Sequence, residues 1–301
     1  MKLALRIEVS TARALARGVP RLIDMLKSAD AGGTFLFALG PDRTGRMAGR
    51  LIGQPIEGRM RPIRAIRRYG FGTLLCGTLL RAPDLSSKIF APLLRAVRDE
   101  GFEVGVLAHD HVQWRARAAG ETAEWTRAQM HTARARFESV FGEAPRAHGA
   151  SGWQVNRDSL RLTQRLGYDY ASDTRGEQPF VPICRAEIVA CPQLPTTLPT
   201  LAELNAEAPL GVAVERLLDI TAAPRATGHV YSARADLEGI GFADAFEGLL
   251  ARWRGQGYEI VSLRDYVDGL PAGELPRHEI TVRELPHGVG TVAAQGRPFL
   301  A

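Results

Sequence analysis

The chain contains a short apolar run, Leu3-Ala4-Leu5-Arg6-Ile7-Glu8-Val9-Ser10-Thr11, that is rich in leucine, isoleucine and valine. A turn-prone segment and a helical pattern follow this run, which predicts a buried strand of a parallel sheet. Side chains alternate between the two faces of a strand, so Arg6, Glu8 and Ser10 should share one face. Because α/β barrels keep their chemistry at the carboxyl ends of the strands, Glu8 is the first candidate for a functional residue.

Strand-like runs alternate with helical patterns along most of the chain, which predicts an α/β fold with a parallel sheet. Roughly seven or eight strand–helix units precede residue 270, and this number favours a closed or nearly closed barrel over an open doubly wound sheet. Proline and glycine then become frequent and the periodicity is lost. We therefore expect one domain over residues 1–270 and an irregular tail over residues 271–301.

The composition excludes several classes of protein. The 301 residues are 45% apolar and 24% charged, which is ordinary for a globular protein. No apolar run reaches the roughly 18 residues that a membrane-spanning helix needs, and no signal-peptide pattern is present, so we expect a cytoplasmic protein. The net charge of +5 is spread along the chain outside Arg59–Arg68, so nucleic-acid binding is not expected. Cys76, Cys184 and Cys191 lack CxxC spacing, so neither disulfides nor a structural zinc is expected.

Residues 45–85 form an insertion that is too long for an ordinary connector between a strand and a helix. Its stretch Arg59–Leu80 combines five arginines with leucines and aromatic residues. Arginines beside exposed leucines suit the boundary between water and anionic lipid headgroups, which favours peripheral contact with the inner face of a membrane. The alternative is a lid whose leucines pack on the barrel rim, and the sequence leaves both interpretations open.

Several short motifs occur in order along the chain as far as about Leu270. They are the first-strand run quoted above, Gly18-Val19-Pro20-Arg21-Leu22, Gly40-Pro41-Asp42, Tyr69-Gly70-Phe71, Gly77-Thr78, Gly152-Trp153, Ser172-Asp173-Thr174-Arg175-Gly176, Thr197-Leu198-Pro199-Thr200 and Asp236-Leu237-Glu238-Gly239. Together they resemble the polysaccharide deacetylase (NodB-homology) family, in particular the branch that deformylates formamido-arabinose on undecaprenyl phosphate. The resemblance implies a distorted (β/α)7-type TIM-like barrel, a divalent metal that is usually zinc, and hydrolysis of an N-formyl or N-acetyl amide on a sugar.

The positions that carry this chemistry in the family are mostly substituted here. The resemblance places the general base, an Asp in the family, at Glu8 and the general acid, a His, at Arg234. It places the three metal ligands at Ser10, Leu107 and His111, and only His111 is still a residue that binds zinc well. A hydrolytic metal site normally needs three protein ligands and an open position for water, so the family reaction is not expected here.

Two arrangements of this pocket remain open. In the first, Glu8 pairs with Arg234 and no metal cofactor is bound, because a buried carboxylate without a metal needs another positive partner. In the second, Glu8, His109 and His111 form a rebuilt zinc site with two imidazoles and one carboxylate. The two histidines would share one face if the chain is extended there; otherwise His109 packs against the neighbouring loop.

Five residues are candidates for substrate binding: Asp173, Arg175, Trp153, Gln154 and Trp114. Asp173 and Arg175 either contact the substrate or fix a loop through an ion pair. The structural role is favoured, because Gln154 stands where the family has the arginine that orients the base. The two tryptophans either stack on a pyranose ring or cover the barrel mouth.

Three functions are consistent with these residues. The first is a catalytically impaired relative of the deformylases that binds a lipid-linked sugar phosphate. The second is an active deformylase or deacetylase that uses Glu8, His109 and His111. The third is a structural or interaction protein that keeps only the fold, although the stretch Arg59–Leu80 argues mildly against it. Fold alone does not establish activity.

Overall fold

The computed structural model describes residues 1–46, 71–270, 275–285 and 290–299. Most of the arginine-rich part of the predicted insertion, residues 47–70, lies outside the described residues. Within the described ranges, no helix is both long enough and apolar enough to cross a bilayer.

The strands alternate with helices along most of the chain, as the sequence predicted. They are β1 Lys2–Val9, β2 Thr34–Ala38, β3 Glu103–Ala108, β4 Ala147–His148, β5 Tyr170–Ala171, β6 Val181–Cys184, β7 Glu187–Ile188, β8 His229–Arg234, β9 Glu259–Val261, β10 Arg277–Glu284 and β11 Thr291–Pro298. Seven of them form one parallel sheet in the order β5-β4-β3-β2-β1-β8, with β9 also paired to β1. The sheet is curled into a half-barrel, which confirms the predicted barrel-like α/β class.

Helices connect the strands. They are α1 Val19–Ser28, α2 Phe71–Leu75, α3 Ala91–Asp99, α4 His111–Arg117, α5 Ala123–Phe141, α6 Arg157–Arg165, α7 Leu201–Glu207, α8 Leu210–Ala222, α9 Ala243–Gly255 and α10 Leu263–Asp268. Two π-helical turns, Ala14–Gly18 and Leu237–Gly241, follow strands β1 and β8. The helices cover the outer face of the sheet, where apolar residues of β1 and β2 form the main core with α1, α5, α8 and α9.

Alternation along the strands separates two environments, as the first strand predicted. Ile7 and Val9 belong to the outer core between sheet and helices. Ala4 and Leu107 belong instead to a second apolar cluster inside the curled sheet. The same alternation turns Arg6, Glu8 and Ser10 toward the inside, and all three are at least nine-tenths buried.

The carboxyl-terminal segment differs from the sequence-based expectation. The expected irregular tail is wrong over Arg277–Glu284 and Thr291–Pro298, because β10 and β11 pair in antiparallel orientation and β10 runs parallel to β6. Val292 to Gln295 are buried, and the backbone of Arg175 exchanges hydrogen bonds with Ala293 (2.9 Å) and Gln295 (2.8 Å). The β-branched residues of this segment therefore support strands, and its proline and glycine residues lie mainly at the strand ends.

The two π-helical turns touch through glycine. A Cβ on Gly239 would lie 2.6 Å from the carbonyl oxygen of Gly18, and a Cβ on Gly18 would collide with the carbonyl of Ala235. Real side chains do not tolerate such distances, so both positions require glycine. The loops that leave β1 and β8 are thereby packed backbone against backbone.

Candidate functional site

Glu8 lies near the carboxyl end of β1, at the mouth of the half-barrel. Its Cα is paired in register with Leu36 of β2 and with Arg234 of β8. Its carboxylate forms an ion pair with Arg6, which is two residues earlier on the same face of the strand. The prediction that Glu8 pairs with Arg234 is therefore wrong. Glu8 pairs instead with Arg6, because the Arg6 guanidinium points into the same half-barrel and lies nearer to the carboxylate.

Arg6 is completely buried and is held by four parts of the chain. Its guanidinium donates to the carbonyl oxygens of Ser172 and Ala150, both at 3.1 Å, and to the hydroxyl of Ser232 at 3.0 Å. A Cβ on Gly149 would lie 3.1 Å from Nη2 of Arg6, so glycine leaves the space that this side chain fills. The arrangement satisfies a buried charge with hydrogen bonds, as such a charge requires.

Arg234 ends β8 on the other side of β1. It forms a two-point ion pair with Asp236, with Nη2 at 2.7 Å and Nε at 3.1 Å from the carboxylate. Its backbone N–H donates to Glu238 at 2.8 Å, and the hydroxyl of Tyr231 donates to the same carboxyl group at 2.9 Å. Burial raises the pKa of Glu238 to about 7. The motif Asp236-Leu237-Glu238-Gly239 thus fixes Arg234 in place.

The positions of the family's metal ligands do not form a metal site. Leu107 is fully buried in the apolar cluster inside the sheet, and Ser10, with 6% of its surface exposed, offers one hydroxyl. Within the described ranges, no three His, Cys, Asp or Glu side chains are grouped as a metal ion would need. A hydroxyl, an aliphatic chain and one imidazole do not fit a divalent metal, which prefers three strong protein ligands.

His111 is the retained ligand position and is almost completely buried. Its Nε2 lies 3.4 Å from the hydroxyl of Thr44, which donates to Asp42 at 2.7 Å, while its Nδ1 has no hydrogen-bond partner among the residues that the structure describes. Burial lowers the pKa of His111, although Asp42, Asp110 and Glu8 act in the opposite direction. The imidazole therefore presents an unused nitrogen inside the mouth.

His109 does not join His111 in a second metal site. Asp110 accepts hydrogen bonds from the backbone of Val112 (3.1 Å) and Gln113 (3.0 Å) and thereby caps α4. Asp110 itself is extended, with φ −117° and ψ 103°, and the helix begins at His111, so the two histidines flank an extended residue but lie in different surroundings. Burial lowers the pKa of His109, which has Arg136 as its strongest charged neighbour, whereas the charged neighbours of His111 include Glu8.

Trp153 lies behind Arg6 and is flanked by two guanidinium groups. The Cζ atom of Arg175 is 4.8 Å and that of Arg6 is 5.6 Å from the centre of the Trp153 ring system. The indole N–H donates to Thr196 at 3.1 Å. With 9% of its surface exposed, Trp153 is a structural support for the mouth more than an open stacking platform.

Gln154 and Trp114 also have structural partners. The Gln154 amide donates to the carbonyl oxygens of Gly152 (3.3 Å) and Thr291, so it links the Gly-Trp loop to the carboxyl-terminal hairpin. Trp114 is 1% exposed, and its indole N–H donates to the Gln154 carbonyl at 2.8 Å. A fully buried indole has no face to offer a sugar, so sugar stacking by Trp114 is a wrong expectation.

Asp173 and Arg175 each hold a loop in place, which is the favoured of the two interpretations. They do so through separate partners and not by pairing with each other. Asp173 is 2.8 Å from Nδ1 of His148 on the outer side of the sheet, and Arg175 is 3.1 Å from Glu203. Burial alone would raise the pKa of Asp173, but His148 and Arg6 hold it below its usual value. Both residues are shielded from solvent, with 1% of the Asp173 side chain and 11% of the Arg175 side chain exposed.

Sequence reasoning missed two residues of the mouth. Arg6 was placed on the correct face but not recognised as the partner of Glu8, although the spacing of two residues on one strand already implied proximity. Asp42 belongs to a motif that the sequence offered, and Thr44, two residues later, donates to it at 2.7–3.1 Å, but its second partner is the distant backbone N–H of Ala12 at 2.9 Å. Such contacts between distant segments leave no local pattern.

Comparison with known proteins agrees with the fold and with the motifs. No protein-family model matches the chain. A Shewanella sediminis protein assigned as a 4-deoxy-4-formamido-L-arabinose-phosphoundecaprenol deformylase, ArnD, is 30% identical over 287 residues, which cover 94% of this chain and 92% of the relative. A Wigglesworthia glossinidia brevipalpis protein with the same assignment is 24% identical over 92% of this chain and 96% of its own.

Solved structures show the same fold at lower sequence identity. A Mycobacterium smegmatis protein described as a polysaccharide deacetylase superposes with a TM-score of 0.61 at 16% identity, covering 94% of both chains. A Bacillus anthracis protein described as a CE4 family pseudoenzyme superposes with a TM-score of 0.51 at 12% identity, covering 92% of this chain and 69% of that one. The chain belongs to the polysaccharide deacetylase family, in the branch of the 4-deoxy-4-formamido-L-arabinose-phosphoundecaprenol deformylases.

Proposed function

We propose that this chain binds a polyprenyl-phosphate-linked amino sugar at the mouth of its half-barrel but does not hydrolyse it by the metal-dependent reaction of its family. The substrate class comes from the name of the ArnD relative, which covers nearly the whole chain. The observation that carries the loss of hydrolysis is the completely buried Leu107, which replaces a metal-binding imidazole with an aliphatic side chain inside the sheet.

The chemistry supports a binding role over a hydrolytic one. In metal-dependent amide hydrolysis the ion lowers the pKa of a bound water and polarises the carbonyl group. Here Ser10 and Leu107 supply neither negative charge nor an imidazole, and Arg234 does not release a proton near neutral pH. The Bacillus anthracis pseudoenzyme indicates that the same fold also occurs without the family's activity.

We further infer that the chain meets its ligand at an anionic membrane surface. Leu79 and Ile89, with 83% and 80% of their surfaces exposed, lie in the segment after β2 on the side of the barrel mouth, together with the half-exposed Leu80. Arg81 and Lys88 are exposed beside them in sequence. Exposed aliphatic side chains flanked by cations suit the boundary of an anionic bilayer.

Metal analysis combined with a deformylation assay tests the loss of hydrolysis. The purified protein, prepared without chelators, should contain no stoichiometric zinc and should release no formate from a formamido-sugar linked to undecaprenyl phosphate. Formate release that depends on bound zinc would overturn the proposal and would favour the rebuilt site of Glu8, His109 and His111.

Restoring the ligands gives the matching positive control. The variant Ser10→Asp/Leu107→His should take up about one zinc ion per chain, because these two changes with His111 supply three protein ligands. The variant Ser10→Asn/Leu107→Met changes the same positions without supplying strong ligands and should stay free of zinc. Equal zinc content in both variants would show that the metal binds elsewhere.

Vesicle binding tests the membrane contact. The protein should sediment with vesicles that contain phosphatidylglycerol and not with pure phosphatidylcholine, and the variant Leu79→Ser/Ile89→Ser should lose most of this binding. Val282→Ser is the matched control, because Val282 is 71% exposed on β10 and away from this segment. If Val282→Ser lost as much vesicle binding, the proposal that Leu79 and Ile89 contact the membrane would be wrong.

A further inference from the structure

We infer that the barrel mouth selects the amino form of its sugar ligand, as an ammonium group, over the formamido form. This inference rests on the proposed function, since it names which form of a lipid-linked amino sugar the site binds. The amine is the product of the family's reaction, because hydrolysis of a formamide releases formate and leaves a primary amine. At neutral pH such an amine is a cation that carries only hydrogen-bond donors.

Among the described mouth residues, two carboxyl groups, Asp42 and Glu238, form no ion pair. Burial raises the pKa of Glu238 to about 7, so Asp42 is the stronger candidate for an unmatched charge. Three carboxylates are paired: Glu8 with Arg6, Asp110 with Arg43 at 2.6 Å, and Asp236 with Arg234 at 2.7 Å. Asp42 is 1% exposed and accepts only from neutral donors of Ala12 and Thr44. An unmatched buried carboxylate favours a cation nearby.

His111 gives a second and independent sign of a ligand with donors. Its Nε2 faces the hydroxyl of Thr44, whose own hydrogen is directed to Asp42. This chain of contacts places the imidazole hydrogen on Nε2 and leaves Nδ1 as an acceptor, and Nδ1 is buried without a partner. Three acidic groups, Asp42, Asp110 and Glu8, and one cation, Arg234, act on this imidazole, so acidic groups outnumber cations around the free acceptor.

The remaining functional groups of the mouth are less suited to a formamide. A formamide is neutral and needs a donor for its carbonyl oxygen as well as an acceptor for its N–H group. The family's metal would polarise that carbonyl, but Ser10 and Leu107 do not hold it. The guanidinium groups of Arg6, Arg43 and Arg234 are each bound to a carboxylate already. The ammonium form matches the acceptors at this site more completely.

Calorimetric titration of the full chain with two synthetic sugars tests this selectivity. The probes are 4-amino-4-deoxy-L-arabinose 1-phosphate and its N-formyl derivative, which differ only at the nitrogen. We expect the amine to bind about tenfold more tightly or better, the difference that one additional charge-assisted hydrogen bond supplies. Equal affinity, or tighter binding of the formamide, would overturn the inference and leave the proposed function standing. Binding of neither probe, with no binding of the undecaprenyl-linked sugars either, would overturn both.

Two variants locate the effect. Asp42→Asn removes the unmatched charge and should reduce the preference for the amine to less than about threefold, while His111→Leu removes the free acceptor and should weaken amine binding alone. Asp42 also organises its loop, so circular dichroism and the midpoint of thermal unfolding must show that the variant folds; if it does not, His111→Leu decides. Asp244→Asn changes a 94% exposed carboxylate and serves as the control. An unchanged preference in folded Asp42→Asn and in His111→Leu would overturn the assignment.

Discussion

Two glutamates point into the same half-barrel from opposite ends, and they are stabilised in different ways. Glu8, near the carboxyl end of β1, is paired with the fully buried Arg6. Glu103, at the amino end of β3, accepts hydrogen bonds from the hydroxyls of Thr34 and Tyr170 and from the backbone N–H of Arg264 at 3.1 Å, while its cation, the Arg264 guanidinium, lies 4.0 Å away. Burial raises the pKa of Glu103 above its usual value, and those hydrogen bonds only partly offset the effect.

The difference teaches how this fold separates function from stability. A carboxyl group surrounded by neutral donors can become protonated, and it then needs no cation. A carboxylate that is held by a buried guanidinium keeps its charge at the place where ligands arrive. In α/β barrels the carboxyl ends of the strands carry the chemistry and the amino ends carry stability. The two glutamates follow that division although the metal-ligand positions are substituted.

Removing the cation at the mouth should have the largest effect. The variant Arg6→Met leaves the carboxylate of Glu8 buried without its partner, and it should lower the free energy of unfolding by about 3–5 kcal/mol. Urea denaturation followed by circular dichroism measures the loss. The double variant Arg6→Met/Glu8→Leu should recover part of it, because the unpaired charge is then gone. A single variant that costs less than 1 kcal/mol would contradict the contrast between the two ends.

Removing one neutral donor at the other end should have a smaller effect. Tyr170→Phe deletes the hydroxyl that donates to Glu103 and should lower the free energy of unfolding by about 1–2 kcal/mol. Tyr266→Phe is a comparable change at a buried tyrosine whose hydroxyl donates to a backbone carbonyl at 2.5 Å and not to a carboxyl group. If Tyr170→Phe lowered the free energy of unfolding more than Arg6→Met does, the prediction that the cation of Glu8 contributes more stability than a neutral donor of Glu103 would be wrong.

The pH dependence of Glu103 should give the smallest effect, and its sign is defined. Because the pKa of Glu103 is raised in the folded protein, its stabilising contribution is complete below the usual value of 4.5 and is lost as the pH rises through the folded pKa. Glu103→Gln stays neutral, so its cost of about 1 kcal/mol at acidic pH should shrink as the pH rises toward 7. Urea denaturation of the unaltered protein and of Glu103→Gln, from acidic pH to neutral pH, measures this difference in the free energy of unfolding. A cost that grows with pH would mean that Glu103 is stabilised in its charged form.

The sequence predicted much of the fold because the strands follow simple physical patterns. Alternation in β1 correctly separated Ile7 and Val9 from Glu8 and Ser10. The long helix α5 ends at Phe141, where the next residue, Gly142, adopts a positive φ of 76° that glycine tolerates. These features depend on neighbouring residues, so a single sequence contains them.

The site was less predictable because its contacts join distant segments. Asp110, between His109 and His111, is extended as the metal-site alternative required, but among the described residues no group of three metal-binding side chains includes the two histidines. The pairing of Glu8 with Arg6 depends on how far the guanidinium reaches inside the curled sheet, and alternation alone does not give that distance. The two carboxyl-terminal strands were overlooked because β11 contains two alanines, one glycine and one proline among its eight residues, and these carry little strand signal.

The glycine contact between the two π-helical turns constrains how this lineage can evolve. Gly18 and Gly239 bring the chain segments beyond Glu8 and Arg234 so close that a single added methyl group at either glycine would force them apart. Substitutions can therefore accumulate among the chemical groups while the spacing of the two strands is inherited unchanged. A change of the side chains that line the mouth would therefore leave the distance between these two loops unaltered.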